Sequence, residues 1–166
     1  MHATLIKAGP VVVVLALILL TACASGPRQV RGELPLITLD GLERDGERMT
    51  LSVGLRNIND SPFPLTKVEV QLSSGDQRLL SVAHEPDFEI SPRGREVLTF
   101  QGTGEPEGLR LLEQFDSHAA GRENQQVFRR IEWHMQVLLS DERGRTRTTE
   151  ASGFLHPVPG QPGRFR

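Results

Sequence analysis

LSVGLRNINDSPFPL, residues 51–65, decides how this sequence folds. Its first half alternates. With Met49, the residues Leu51, Val53 and Leu55 point one way, and Thr50, Ser52, Gly54 and Arg56 point the other. A period of two marks a strand with one buried face. Asn57-Ile58-Asn59-Asp60-Ser61-Pro62 then breaks the alternation. Asn and Asp side chains bond their own backbone and tolerate left-handed conformations. Asn57 and Asn59 therefore read as a tie on a strand end, with a ligand site as the lesser reading.

The same pattern extends outward from this stretch. Upstream, Leu34–Leu42 has strand character with a slip near Pro35. Downstream, Val68, Val70 and Leu72 alternate with Glu69 and Gln71, and Ser74-Gly75-Asp76 predicts a hairpin turn. Leu79, Leu80 and Val82 predict the return strand. Phe88–Ile90 and Glu96–Phe100 are short strands around Ser91-Pro92-Arg93-Gly94. The period then changes. Leu109, Leu112 and Phe115, with Leu111 beside them, suit one amphipathic helix over residues 107–115, with Pro106 tolerated in its first turn. Residues 116–126 read as a loop. Ile131, Trp133, Met135, Val137 and Leu139 open a long final hairpin that turns at residues 141–144 and returns to Leu155. Short strands with turns every eight to twelve residues predict an all-β antiparallel sandwich. Residues 156–166, HPVPGQPGRFR, are expected to be a flexible tail.

The only cysteine, Cys23, closes an apolar decade, Val11–Leu20. That run is too short to span a bilayer and has the proportions of a signal-peptide core. Leu20-Thr21-Ala22-Cys23 resembles a bacterial lipobox, in which the cysteine thiol is acylated and the peptide is cut just before it. Thioether formation needs sulfur as the nucleophile, which explains the solitary thiol. Residues 1–22 then form a lipoprotein signal peptide, and residues 23–33 a lipidated tether. Several acyl chains anchor a protein far more firmly than one. Ala24, where inner-membrane lipoproteins often carry Asp, points to a periplasm-facing outer-membrane address.

The 166-residue chain carries 19 basic and 21 acidic side chains. Removing residues 1–22 takes away Lys7 and leaves Lys67 as the remaining lysine, with a net charge of about −3. That balance gives no footprint for nucleic acid. With Cys23 acylated no disulfide is available, so stability must come from packing.

Leu51–Leu65 and Phe88–Phe100 (FEISPRGREVLTF) together resemble the late embryogenesis abundant type 2 domain, also called the water stress and hypersensitive response (WHy) domain. Asn57 and Asn59 match the two asparagines of the family's Asn-Pro-Asn strand end, and Ile58 replaces its proline. The resemblance covers residues 34–155. It implies an immunoglobulin- or fibronectin-like β-sandwich with one short helix before the last hairpin. It implies no catalytic residues, and the plant members are associated with desiccation stress. Bacterial members are often lipoproteins.

No nucleophile elbow, zinc-protease motif or phosphate loop appears, and His84, His118, His134 and His156 lack metal-ligand spacing. No cofactor, metal or enzymatic activity is expected. Asp87 and Glu89 read as a strand edge before a carboxylate pair, His134 as a solvated face, and Trp133 as core. Arg143, Arg145 and Arg147 are a candidate contact for an anionic surface, weighed against a charged edge that blocks strand pairing. Leu109, Leu111, Leu112 and Phe115 are a candidate apolar lid. Two functions are weighed: a lipid-anchored envelope domain for binding or stress protection, and a carrier holding an acyl chain within the sandwich. The expected partners are the membrane, through acylated Cys23, and an envelope protein or lipid.

Overall fold

A computed structural model describes residues 29–119 and 130–166. The lipobox, Leu20 to Cys23, lies outside the described residues. Residues Arg31–Arg166 form one unit. Its strands are β1 (Leu36–Asp45), β2 (Arg48–Arg56), β3 (Phe63–Leu65), β4 (Lys67–Ser74), β5 (Gln77–His84), β6 (Phe88–Ile90), β7 (Arg95–Thr103), β8 (Ile131–Ser140), β9 (Thr146–Leu155) and β10 (Arg164–Phe165). The helix α1 (Pro106–Ala119) sits between β7 and β8. One sheet runs β10-β1-β2-β7, the other β5-β4-β8-β9, and β3 pairs with β6 as a small ribbon. Every pairing is antiparallel. The protein is an all-β sandwich with a short helix before its last hairpin.

The alternation read in β2 is the alternation observed. Met49, Leu51, Val53 and Leu55 are fully buried. Across the core, Val68, Val70 and Leu72 of β4 and Ile131, Met135 and Val137 of β8 meet them. Each such side chain contributes about 1.5–3 kcal/mol on leaving water.

Three sequence expectations are corrected. The slip expected near Pro35 is a β-bulge between Leu39 and Gly41, four residues or more further on. The bulge lets Ile37 and Leu42 both face the core, five positions apart. The polar stretch from residue 116 begins as helix, because α1 runs on to Ala119. The terminal residues 156–166 are no loose tail. They fold back as β10, with Leu42 opposite Phe165 and Glu43 opposite Arg164. Phe165 is only 2% exposed, and that burial outweighs the Pro/Gly character of its surroundings.

The C-terminal strap is fastened to two elements. The Arg44 N–H donates to Gly163 O at 2.7 Å. The Gly163 N–H donates to the Asp116 carboxylate on α1 at 2.5 Å, and Arg44 lies 3.6 Å from the same carboxylate. Gly163 has φ of 78°, and a Cβ there would lie 2.3 Å from Arg44 O, so no other residue fits without rearrangement.

The helix packs just as closely. A Cβ on Gly108 would lie 2.7 Å from Arg78 O and 2.8 Å from the Leu79 Cα of β5. These are backbone atoms and cannot swing aside. Gly108→Ala is therefore expected to lose stability although alanine is the better helix former by about 1 kcal/mol. Overpacking costs typically ~1–3 kcal/mol. Urea unfolding checks the sign, and a gain in stability would show that α1 does not sit on β5.

Candidate functional site

The polar centre of the molecule is the asparagine turn at the end of β2. Asn57 is fully buried and Asn59 is 2% exposed. The Asn57 Nδ2 group donates to Ser61 O (2.9 Å), Ile90 O (3.0 Å) and Ser91 O (3.1 Å). Its Oδ1 accepts from the Asn59 backbone N–H at 2.9 Å and from Asn59 Nδ2 at 2.8 Å. Asn59 then grips the incoming chain. Its Nδ2 donates to Glu33 O at 2.8 Å, and its Oδ1 accepts the Glu33 N–H at 2.9 Å. A side-chain amide supplies both the donor and the acceptor that this position uses. The turn after β6 closes the node: the Arg93 N–H donates to Asn59 O at 3.1 Å, and Arg93 Nε to Asp60 at 2.9 Å. Arg93 holds a left-handed φ of 57° to do so. The asparagines are structural, and they fix where the N-terminal segment meets the domain.

The three candidate arginines are dispersed among different partners. Arg143 lies in the hairpin turn, where its backbone N–H donates to Asp141 Oδ1 at 2.9 Å. Arg145 precedes β9 and closes on the Asp141 carboxylate at 2.6 Å and 2.8 Å. Arg147, in β9, donates to Gly32 O at 2.9 Å and stands 5.4 Å over the Phe63 ring. The side chains of Arg145 and Arg147 thus bond within the domain, and Arg143 is exposed in the turn.

Asp141 is the residue that sequence reasoning overlooked. It is 7% exposed and accepts from Arg143 and Arg145 at once. Asp at the first position of a turn was the available signal. The Arg145 side chain, foremost, and the Arg145 and Arg143 backbone N–H groups hold its carboxyl below the usual carboxylate range. A depressed acid stabilises the fold above its unfolded pKa, and that contribution is lost as pH falls through the folded value. The turn is therefore expected to stay closed at neutral pH and to loosen in acid below the ordinary aspartate range. Asp141→Asn should remove this dependence, as read by amide exchange at Arg143 and Arg145.

The candidate lid is divided. Leu112 is fully buried, while Leu109, Leu111 and Phe115 are partly buried against the same core. Two clefts flank the helix, both open to solvent. One, of about 510 Å³, is lined by Glu47, Thr103, Glu105, Leu109 and Arg110 among others. The other, of about 290 Å³, is lined by Gln77, Glu107, Arg110, Leu111 and Gln114. Charged side chains stand on both rims: Glu47, Glu105 and Arg110 at the first, Glu107 and Arg110 at the second.

The remaining candidates stand apart. Asp87 occupies the left-handed turn before β6, and Glu89 is exposed on β6 opposite Pro64. His134 is exposed and 3.6 Å from Glu150. His84 meets Phe100 edge-on at 6.2 Å. Trp133, 7% exposed, belongs to the core.

No family model matches the sequence, and no curated protein matches it. Solved structures do resemble the fold. AT1g01470 from Arabidopsis thaliana aligns with a TM-score of 0.50 at 11% identity, over 77% of this chain and 88% of that one. A protein from Archaeoglobus fulgidus aligns with a TM-score of 0.46 at 11% identity, over 76% and 98%. A candidate late embryogenesis abundant (LEA) protein, At2g46140.1, aligns with a TM-score of 0.41 at 13% identity, over 96% and 98%. At these identities the likeness is one of fold: the chain shares a sandwich architecture with AT1g01470.

Proposed function

We propose that this chain is a lipid-anchored, non-enzymatic domain of the bacterial envelope that binds and protects other molecules under dehydrating or osmotic stress. Its anchor is acylated Cys23, and its address is the periplasmic face of the outer membrane. The observation that carries the reading is the grip of Asn59 on Glu33. It ties Glu33, some ten residues after Cys23, to the domain, which supports a leash of at most about 35 Å. The lipobox order Leu20-Thr21-Ala22-Cys23 supports the anchor. The stress role rests on the resemblance carried by Leu51–Leu65 and Phe88–Phe100. The polar groups of the site act as turn locks, with carbonyls and arginines as their partners.

The test has two arms. Cells fed an alkyne-bearing fatty acid are expected to label the wild-type protein and leave Cys23→Ser unlabelled and released from the membrane fraction. The purified protein is expected to preserve the activity of a drying-sensitive enzyme better than an equal mass of serum albumin. Label on Cys23→Ser overturns the anchor, and protection no better than albumin overturns the stress role.

A further inference from the structure

The outer face of the β1-β2-β7 sheet mixes arginine with exposed aliphatic side chains. Leu36, Arg56 and Arg95 stand directly opposite one another across the three strands, and Thr38, Gly54 and Val97 form the next rung. Arg56 and Thr38 are exposed. Leu36 is 54% exposed and Val97 48%. Among the described residues only Leu36, Val97 and Phe154 are large apolar side chains left exposed, and two of those three flank Arg56 here.

The charges on this face are unbalanced. Arg95 lies across Gly54, where a Cβ would meet its guanidinium and the Thr38 hydroxyl. It thereby reaches Asp40, with Nη2 donating to Oδ2 at 2.5 Å. The Arg56 guanidinium has no hydrogen bond or ion pair among the described residues. Side chains directly opposite in an antiparallel pair have Cβ atoms about 4.5–5.5 Å apart, and like charges there repel. An anionic group set against both guanidiniums replaces that repulsion with charge-assisted bonds. Arg93, in the turn just before β7, pairs with Asp60 and is 55% exposed. Three arginines against two aspartates leave this cluster net positive, in a chain whose net charge is −2.

We propose that this face, centred on Arg56, docks on the surface of an anionic lipid bilayer. The proposal deepens the envelope reading above and rests on its anchor for the nearness of the membrane. The place where the chain enters argues for this occupant. Leu36 opens β1 three residues after Glu33, where Asn59 holds the incoming segment, so this rung is the first folded one after the leash. Arg56 and Arg95 meet lipid phosphates, while Leu36 and Val97 enter the headgroup boundary. Cationic and aliphatic side chains on one face are what an anionic interface binds. A second copy fits less well, because a twofold axis through the patch would bring Arg56 and Arg95 of both copies together.

The experiment uses residues 24–166, which contain the whole Arg31–Arg166 unit and no cysteine, so one introduced thiol can carry a fluorophore. An N-terminal hexahistidine holds the chain on a nickel-chelating lipid, whether or not Cys23 is acylated in cells. The vesicles are equal parts phosphatidylglycerol and phosphatidylcholine, with a nitroxide quencher in the headgroup layer. A fluorophore at Leu36→Cys or Val97→Cys is expected to be quenched about fivefold more than one at Ser152→Cys, which lies beside His134 on the outside of the other sheet. Arg56→Glu changes an exposed side chain that bonds nothing in the fold, and it should lower the docked fraction about tenfold. Phosphatidylcholine alone should do the same. Equal quenching at all three positions overturns the proposal, because the domain then tumbles on its leash. Excess quenching at positions 36 and 97 that survives both Arg56→Glu and neutral lipid also overturns it, because the leash alone then explains it. A signal at position 36 that follows protein concentration without vesicles overturns it as well, since a second copy then takes the face. If Cys23→Ser keeps the fatty-acid label while the quenching pattern holds, the anchor falls and the docking face stands. If labelling depends on Cys23 while quenching is uniform, the reverse holds.

Discussion

Asn57→Asp is expected to cost about 3–5 kcal/mol of folding stability, the cost of leaving a buried charge without its partner. The native amide is fully buried, donates to three carbonyl oxygens and accepts from Asn59. A carboxylate keeps the acceptor side and turns the donor side into repulsion. Domains of this size are stable by about 5–15 kcal/mol, so the variant should unfold at a markedly lower urea concentration. The sign of its pH dependence is fixed by the same geometry. The carbonyls and burial raise the folded-state pKa of the new acid, so its penalty is present above that value and shrinks as pH falls through it. Urea unfolding at pH 5 and pH 8 checks both points. A loss below about 1 kcal/mol, or one that grows in acid, would mean that the node is wetter than the structure has it.

Phe165→Ala is the second large effect. The ring is buried on the strand that closes β1, within a strap of only eleven residues after β9. Truncating a buried phenylalanine costs about 3–5 kcal/mol. Arg164, its neighbour, pairs with Glu43 at the surface. Arg164→Ala should change stability by less than about 1 kcal/mol, as exposed ion pairs do. Thermal unfolding of the two variants separates a plug from a surface clasp. Removing residues 156–166 should go further and add concentration-dependent association, because the β1 edge is then bare. A truncated protein that remains monomeric and as stable as the wild type would make the strap dispensable.

The main alternations were legible because each of those strands has one wet and one dry face. Leu51, Val53 and Leu55 announce β2, and Ile131 to Leu139 announce β8, without any knowledge of their neighbours. The helix was legible for the same reason at a different period, although its end was not. Asp116 belongs to α1 because it meets Arg44 and Gly163, residues that lie far away in sequence. The strap was misread on composition. Proline and glycine near the terminus suggested looseness, and nothing local reveals that Phe165 has a pocket waiting between β1 and the core. The β1 slip was seen but misplaced, since a bulge needs only an extra residue and Asp40-Gly41 marks it no more strongly than Pro35 does. The arginines shared a strand-like spacing, but Asp141, Gly32 and Phe63 claim them individually. The asparagine turn was read correctly as structure, and its reach to Glu33 was hidden by a separation of 26 residues.

That reach has a mechanical consequence. Any tension that arrives from the N-terminal side meets the paired bonds between Asn59 and Glu33 before it meets the first rung of β1. The load passes into a buried amide cluster that is itself lashed to the turn after β6, so it spreads over three segments of chain rather than peeling one strand from its end. The clasp works as a strain relief, of the kind that keeps a cable from being pulled out of its connector. A domain held in this way can be tugged by its leash and keep its register.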